Sequence, residues 1–282
     1  MNITLIGFLL GMLLLVLPLV AMYRYGLRIS VGRALSAIFR MVIYVGIMGF
    51  VMYMLQKDGS VAMSLLFALV LIVLAAVAAI LRSRLRLRVL FVPVVAAVAV
   101  SVIVVSAWLL LVTLGTGALV SPRFFLPVVG ILSGTAITAC SDSLSAYYDG
   151  LRHHNQLYFY LLGNGATHAE ALDTFVRRAL EKAVMPGLSQ MATVVVGTAP
   201  VMMWTMIMCG QGAIEAAAFQ LLVMAAAFCV SVMSVLLAVI LTRKYMFDGY
   251  SRLNTLRKAD DKEPSAAQET VAQEAADEVE EN

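Results

Sequence analysis

Along most of this chain the apolar residues neither alternate nor recur every third or fourth position; they run unbroken. Seven such runs stand out, at about 3–23, 38–55, 61–81, 89–114, 125–144, 188–208 and 216–241. Each is apolar on every face and close to the roughly 20 residues that a helix needs to cross about 30 Å of hydrocarbon. Transmembrane strands would alternate over about ten residues, so the pattern predicts helices. The fold expected is therefore an all-α integral membrane protein with about seven transmembrane helices. The first run has no basic residue before Arg24, unlike a secretory leader, and is read as a span.

One stretch breaks the pattern. In 161–187, "LLGNGATHAEALDTFVRRALEKAVMPG", polar and apolar positions alternate at helical spacing. Gly163 and Gly165 are expected to end a helix running over about 147–162, and Thr167 with Glu170 forms the T-x-x-E signature of a capping box that starts the next. Ala169, Leu172, Val176, Ala179 and Ala183 recur every three or four residues with Phe175 alongside, and Glu170, Asp173, Arg177, Arg178, Glu181 and Lys182 fill the other face. Asp173 and Arg177 form an acid-first (i, i+4) pair. Pro186 is expected to stop this short amphipathic helix just before the sixth span. Three acids and three bases suit a protein partner better than a lipid surface, which favours bases alone.

Charge sets the orientation. Arg24, Arg28 and Arg33 follow the first span, Arg82, Arg84, Arg86 and Arg88 the third, Arg152 to Lys182 the fifth, and Arg243 and Lys244 the seventh. The intervening loops carry Lys57, Arg123 or no base. By the positive-inside rule this places the N-terminus outside and the C-terminus in the cytoplasm. The composition agrees: 62% of residues are hydrophobic and 13% charged, with mean hydropathy +0.93. The net charge of +3 hides a division, because residues 1–258 hold 19 basic and 8 acidic groups while nine acids and only Lys262 lie beyond. The chain thus divides into a membrane domain, 1–258, with its amphipathic loop at about 146–186, and an acidic, aromatic-free tail, 259–282, expected to be disordered. The bases are accounted for by orientation and anionic lipid, not by nucleic acid.

Chemistry is sparse. There is no G-x-x-x-x-G-K-[ST] loop to hold nucleotide phosphates. His153 and His154 are adjacent and point about 100° apart on a helix, so they cannot share a metal unaided. Asp142 between Ser141 and Ser143 has no histidine in hydrolase spacing. Cys140, Cys209 and Cys229 form no C-x-x-C pair and read as structural thiols. Gly130 and Gly134 form a G-x-x-x-G suited to close helix packing in lipid. Pro200 inside the sixth run is expected to kink it and free a carbonyl. Met191, Met202, Met203, Met206 and Met208 offer soft ligands but equally ordinary membrane filling. Arg40, Thr193, Glu215 and Gln220 are polar groups stranded in apolar runs, which in membranes face the bundle or a wet cavity.

Over about 40–247 the chain resembles the permeases of the bacterial iron-export ABC family (the FetB type, with plant relatives linked to aluminium tolerance). Arg40, Gly49 and Phe50 fit the family's R-x-x-x-Q-x-x-x-x-G-Y block. The family's P-x-x-G-x-x-x-G-N falls on Pro127, Gly130, Gly134 and Thr135, and Leu162, Gly165, Ala166 and Thr167 fit L-x-x-G-A-T, continued by Ala171, Arg177, Ala183 and Pro186. Thr193, Pro200, Met202, Met203, Gly210, Ala216, Phe219 and Gln220 fit the last block. Departures include Tyr44 for Gln, Thr135 for Asn, Val195, Val201 and Thr205 for Gly, and Met206 for Gln. These remove several polar groups that would face a permeating ion.

The resemblance implies the transmembrane subunit of an ABC exporter of iron or another metal-linked substrate, in a bacterial inner membrane. It implies a homodimer driven by a separate ABC ATPase that carries ATP-Mg, with no cofactor or catalytic residue on this chain. Coupling to that ATPase falls on Gly163, Gly165, Ala166, Thr167, Glu170, Ala171, Arg177 and Arg178. A candidate pathway comprises Arg40, Thr135, Thr193, Pro200, Met202, Met203 and Gln220; no metal ligands are assigned. The competing readings are an ATP-independent transporter or channel and a non-transporting membrane scaffold.

Overall fold

The computed structural model describes Arg24 and residues 31–58, 60–115, 121–194 and 200–246. The first predicted span, 3–23, and the acidic tail, 259–282, lie outside the described residues. Eight helices follow one another there: α1 Val31–Asp58, α2 Val61–Arg82, α3 Leu87–Leu114, α4 Pro122–His153, α5 Asn155–Gly163, α6 His168–Ala192, α7 Val201–Met208 and α8 Ala213–Met246. Among the described residues the structure is all-helical. Five helices, α1 to α4 and α8, are long and apolar enough to cross a membrane.

Four of these form the bundle. α8 packs along both α3 and α4, and α2 packs between the same two partners. The core is filled by small and branched side chains, among them Ala76, Ala79, Val94, Val98, Leu132, Ala136 and Val239, all essentially inaccessible. Small residues let helix axes approach where lipid removes the hydrophobic drive for association. Two of the buried hydroxyls inside the spans bond to their own helix: Ser101 Oγ donates to the Ala97 carbonyl at 2.8 Å and Thr242 Oγ1 to the Ala238 carbonyl at 2.6 Å. No polar hydrogen from these groups faces hydrocarbon. Among the described residues α1 meets the bundle near Val51, Met52 and Leu55.

Three expectations change. The fifth predicted run does not end at 144, and no new helix begins at 147; α4 continues to His153. Its 32 residues span about 48 Å, well beyond about 30 Å of hydrocarbon, so one end projects past the bilayer. Second, Pro186 does not stop the amphipathic helix, which runs through it to Ala192. A proline breaks only one backbone bond, and side-chain packing on both sides of it, by Ala183 and Gly187, holds the axis. Third, the sixth predicted run, 188–208, is not a single helix. α6 closes at Thr193, and α7, with only eight residues, begins after Pro200. Residues 195–199 lie outside the described residues.

Gly187 marks where α6 meets α8. A Cβ there would lie 2.7 Å from Phe228 Cδ2. Gly187→Ala is therefore expected to cost about 1–3 kcal/mol by overpacking. Thermal unfolding in detergent would read this, with Phe228→Leu restoring the loss; an unchanged melting temperature in the single variant would refute the close contact.

Candidate functional site

The projecting end of α4 provides the floor on which α6 rests. Leu172, Phe175 and Ala179 are buried, as are Tyr147 and Leu151 of α4. Gly150 makes room for Phe175: a Cβ at that position would already lie 3.4 Å from the Phe175 ring. The expected apolar stripe is thus occupied by the chain's own bundle, with Ala169 as an exception that stays exposed. The opposite face is free. Glu170, Asp173, Arg177, Arg178, Glu181 and Lys182 are all exposed.

The start of α6 is built as its sequence requires. Gly165 takes φ +87°, a left-handed turn closed by its amide bonding to the Leu162 carbonyl at 3.1 Å. Thr167 then caps the helix: its Oγ1 accepts from the Glu170 amide at 3.4 Å, and Glu170 Oε2 accepts from the Thr167 amide at 2.8 Å. Those bonds from the Thr167 backbone and hydroxyl hold the Glu170 carboxyl below its ordinary value, so it is ionised at neutral pH. Arg177 Nη2 lies 3.7 Å from Asp173 Oδ2, an exposed pair of small energetic weight.

Two long-range contacts pin this start to the bundle. Arg243, near the end of α8, donates from Nη2 to the Ala169 carbonyl at 3.3 Å. The buried Tyr158 of α5 bonds His168 Nδ1 at 2.8 Å through its hydroxyl. Partial burial, then the positive charge of Arg243, lowers the His168 pKa below 6.5. A base whose folded pKa is lowered stabilises the fold above its unfolded value and loses that contribution as pH falls through the folded one. Acidification from about pH 7.5 to about pH 5.5 is therefore expected to speed amide exchange at Ala171 and Leu172 beyond the intrinsic rate change. Equal protection at both pH values would remove the role given to His168.

Sequence reasoning missed a polar stripe on α4. Thr135, Thr138, Asp142, Ser145, Asp149 and His153 follow at spacings of three or four, which puts them on one face. A cleft of about 130 Å³ between α4, α6 and α8 begins at Thr135 and Thr138 and reaches Asp142, Lys182, Gln190 and Ser231. Two adjoining clefts of about 570 and 580 Å³ continue along the stripe past Arg82 and Asp149 to His153 and Arg178. Asp142 Oδ1 accepts from Ser141 Oγ at 3.0 Å and faces Arg82 Nε at 4.0 Å. Asp149 Oδ2 accepts from Ser145 Oγ at 3.3 Å. His153 donates from Nδ1 to the Asp149 carbonyl at 2.7 Å, since a carbonyl can only accept.

The seven expected pathway residues do not converge. Thr135 alone lines this groove. Arg40 is exposed on α1. Thr193 ends α6 and donates to the Ser189 carbonyl at 2.7 Å. Pro200, Met202, Met203 and Gln220 do come together, but for a structural reason. Pro200 precedes α7 rather than kinking a span, and Gln220 Oε1 accepts from the Met203 amide at 3.3 Å, satisfying a free N–H at the helix start. Among the described residues Gly130 and Gly134 meet no other helix; an added Cβ would find nothing within 4 Å. His153 and His154 gather no metal set, and among the described residues no three His, Cys, Asp or Glu side chains form one.

Long apolar helices that expose aromatic and branched side chains outward, with a polar cleft inside, define a multi-pass α-helical membrane protein. The chain belongs to the family described as "Uncharacterised protein family (UPF0014)", whose model matches residues 5–247. It is 28% identical to the UPF0014 membrane protein STAR2 of Oryza sativa subsp. japonica over 223 residues, 79% of this chain and 77% of that one. It is 33% identical to the Protein ALUMINUM SENSITIVE 3 of Arabidopsis thaliana over 104 residues, 37% of this chain and only 38% of the relative's length. No solved structure matches.

Proposed function

We propose that this protein is the permease subunit of an ABC-type exporter, carrying iron or another metal-linked substrate and energised by a separate ATPase that holds ATP-Mg. In this reading the projecting ends of α4 and α8 and the arginine-rich turn face the cytoplasm of a bacterium, and two copies pair in the inner membrane. The observation that carries the reading is the division of α6. Its apolar side is committed to the bundle, while six charged residues, begun by a capping box, stay exposed on a chain with no phosphate loop of its own. Such a face offers paired charges to a protein partner and is too acidic for lipid.

The groove on α4 supports transport rather than scaffolding. A non-transporting protein has no use for threonines, carboxylates and a lysine along a cleft entering the bundle, because polar groups at membrane depth mark pathways. In this reading Thr135, already a pathway candidate, meets the substrate together with Thr138 and Asp142. Metal ligation is left to hard oxygen donors of this groove, since the methionines of α7 pack beside α8 instead. Inverted membrane vesicles bearing this chain and its ATPase are expected to accumulate labelled iron only with ATP. ATP-independent uptake would replace the reading with a gradient-driven carrier.

A further inference from the structure

α2 and α3 are joined by the turn Arg82-Ser83-Arg84-Leu85-Arg86-Leu87-Arg88, in which all four arginines are exposed while Ser83 and Leu85 are buried. The burial anchors the turn and drives the guanidinium groups outward. Ser83 Oγ donates to the Ile80 carbonyl at 2.8 Å, and Arg84 is held at φ 58°, the one non-glycine residue with positive φ among the described residues. A long side chain in that region is strained, so the turn is kept against a local cost. Asp142 stands 4.0 Å from Arg82. Among the described residues no ion pair is formed by Arg84, Arg86 or Arg88, and the turn itself contains no acid. The other charged surface at this end, on α6, mixes both signs.

We propose that this arginine turn is the docking surface for the chain's own acidic segment, residues 259–282. Three observations commit the occupant. The first is complementarity: the segment holds nine carboxylates against Lys262 alone, and the turn gathers four arginines within seven residues with no acid among them. The second is place. Arg82 reaches Asp142 of α4, and Arg243 near the end of α8 lies beside Tyr147, five residues further along the same helix. The third is reach. Residues 247–259 can extend about 40 Å, whereas packed helices lie about 8–10 Å apart, so the tether holds the acids at high local concentration. Anionic headgroups would repel this segment while competing for the same arginines, so the docking acts as an electrostatic latch sensitive to salt and to the lipid around it.

The test uses the unmodified full chain in nanodiscs. A protease that cuts after glutamate is expected to cleave the segment about fivefold or more faster at about 500 mM than at about 50 mM salt, with a free 259–282 peptide as the reference for the enzyme's own salt response. A second measurement uses Arg84→Lys, Arg86→Lys and Arg88→Lys together, which keep the charge and supply amines. Carbodiimide should then link positions 84–88 to carboxylates between Asp260 and Glu281. Identical salt responses in chain and peptide, or links confined to other carboxylates, would overturn the proposal. Absence of protection in discs of neutral and of anionic lipid alike would overturn it as well.

Discussion

Replacing Glu170, Arg177 and Arg178 together by alanine is expected to abolish co-purification of the ATPase subunit, a loss of at least about tenfold, while the chain still inserts in the membrane. The three side chains are exposed on the free side of α6, and none reaches the buried face formed by Leu172, Phe175 and Ala179. Arg177 and Arg178 supply guanidinium forks suited to carboxylates of a partner. Glu170 has a second duty in the capping box, so its removal alone would loosen the first turn. Glu170→Gln separates the two, because glutamine can still accept from the Thr167 amide while losing the charge. Undiminished retention of the ATPase by the triple variant would refute the docking assignment.

Phe175→Ala is expected to release α6 from the bundle. Phe175 is 1% exposed and sits against Gly150, where α4 offers only backbone. Emptying that site costs about 3–5 kcal/mol, a large share of what holds one helix onto the bundle. The spans themselves do not depend on it, so expression in the membrane should persist. Trypsin should then cut at Arg177 and Arg178 in the variant under conditions that spare the parent, and ATP-driven uptake should fail with it. Unchanged proteolysis would mean that α6 is held by Arg243 and Tyr158 alone.

Much of this architecture was legible in the sequence because lipid imposes a simple rule: a run of apolar residues long enough to cross becomes a helix. The runs at 38–55, 61–81, 89–114 and 216–241 correspond to α1, α2, α3 and α8. The capping box at Thr167 and Glu170 was legible too, since its bonds are local. What failed was continuity. Asp149, Arg152 and His153 read as the start of a separate helix over about 147–162, yet tertiary packing with α6 extends α4 through them. Pro186 looked like a terminus because sequence shows the lost bond but not the neighbours that offset it. The polar groove was present as a three-four spacing from Thr135 to His153, hidden by reading 125–144 only for length and oiliness. The contact between Arg243 and the Ala169 carbonyl, 74 residues apart, had no local signal at all.

That α6 crosses Pro186 unbroken has a mechanical consequence. A single rod runs about 32 Å from Glu170 to Met191, at 1.5 Å per residue, with no joint to absorb a displacement. What is pressed on its outer end therefore reaches the cleft wall through one stiff, close-packed element.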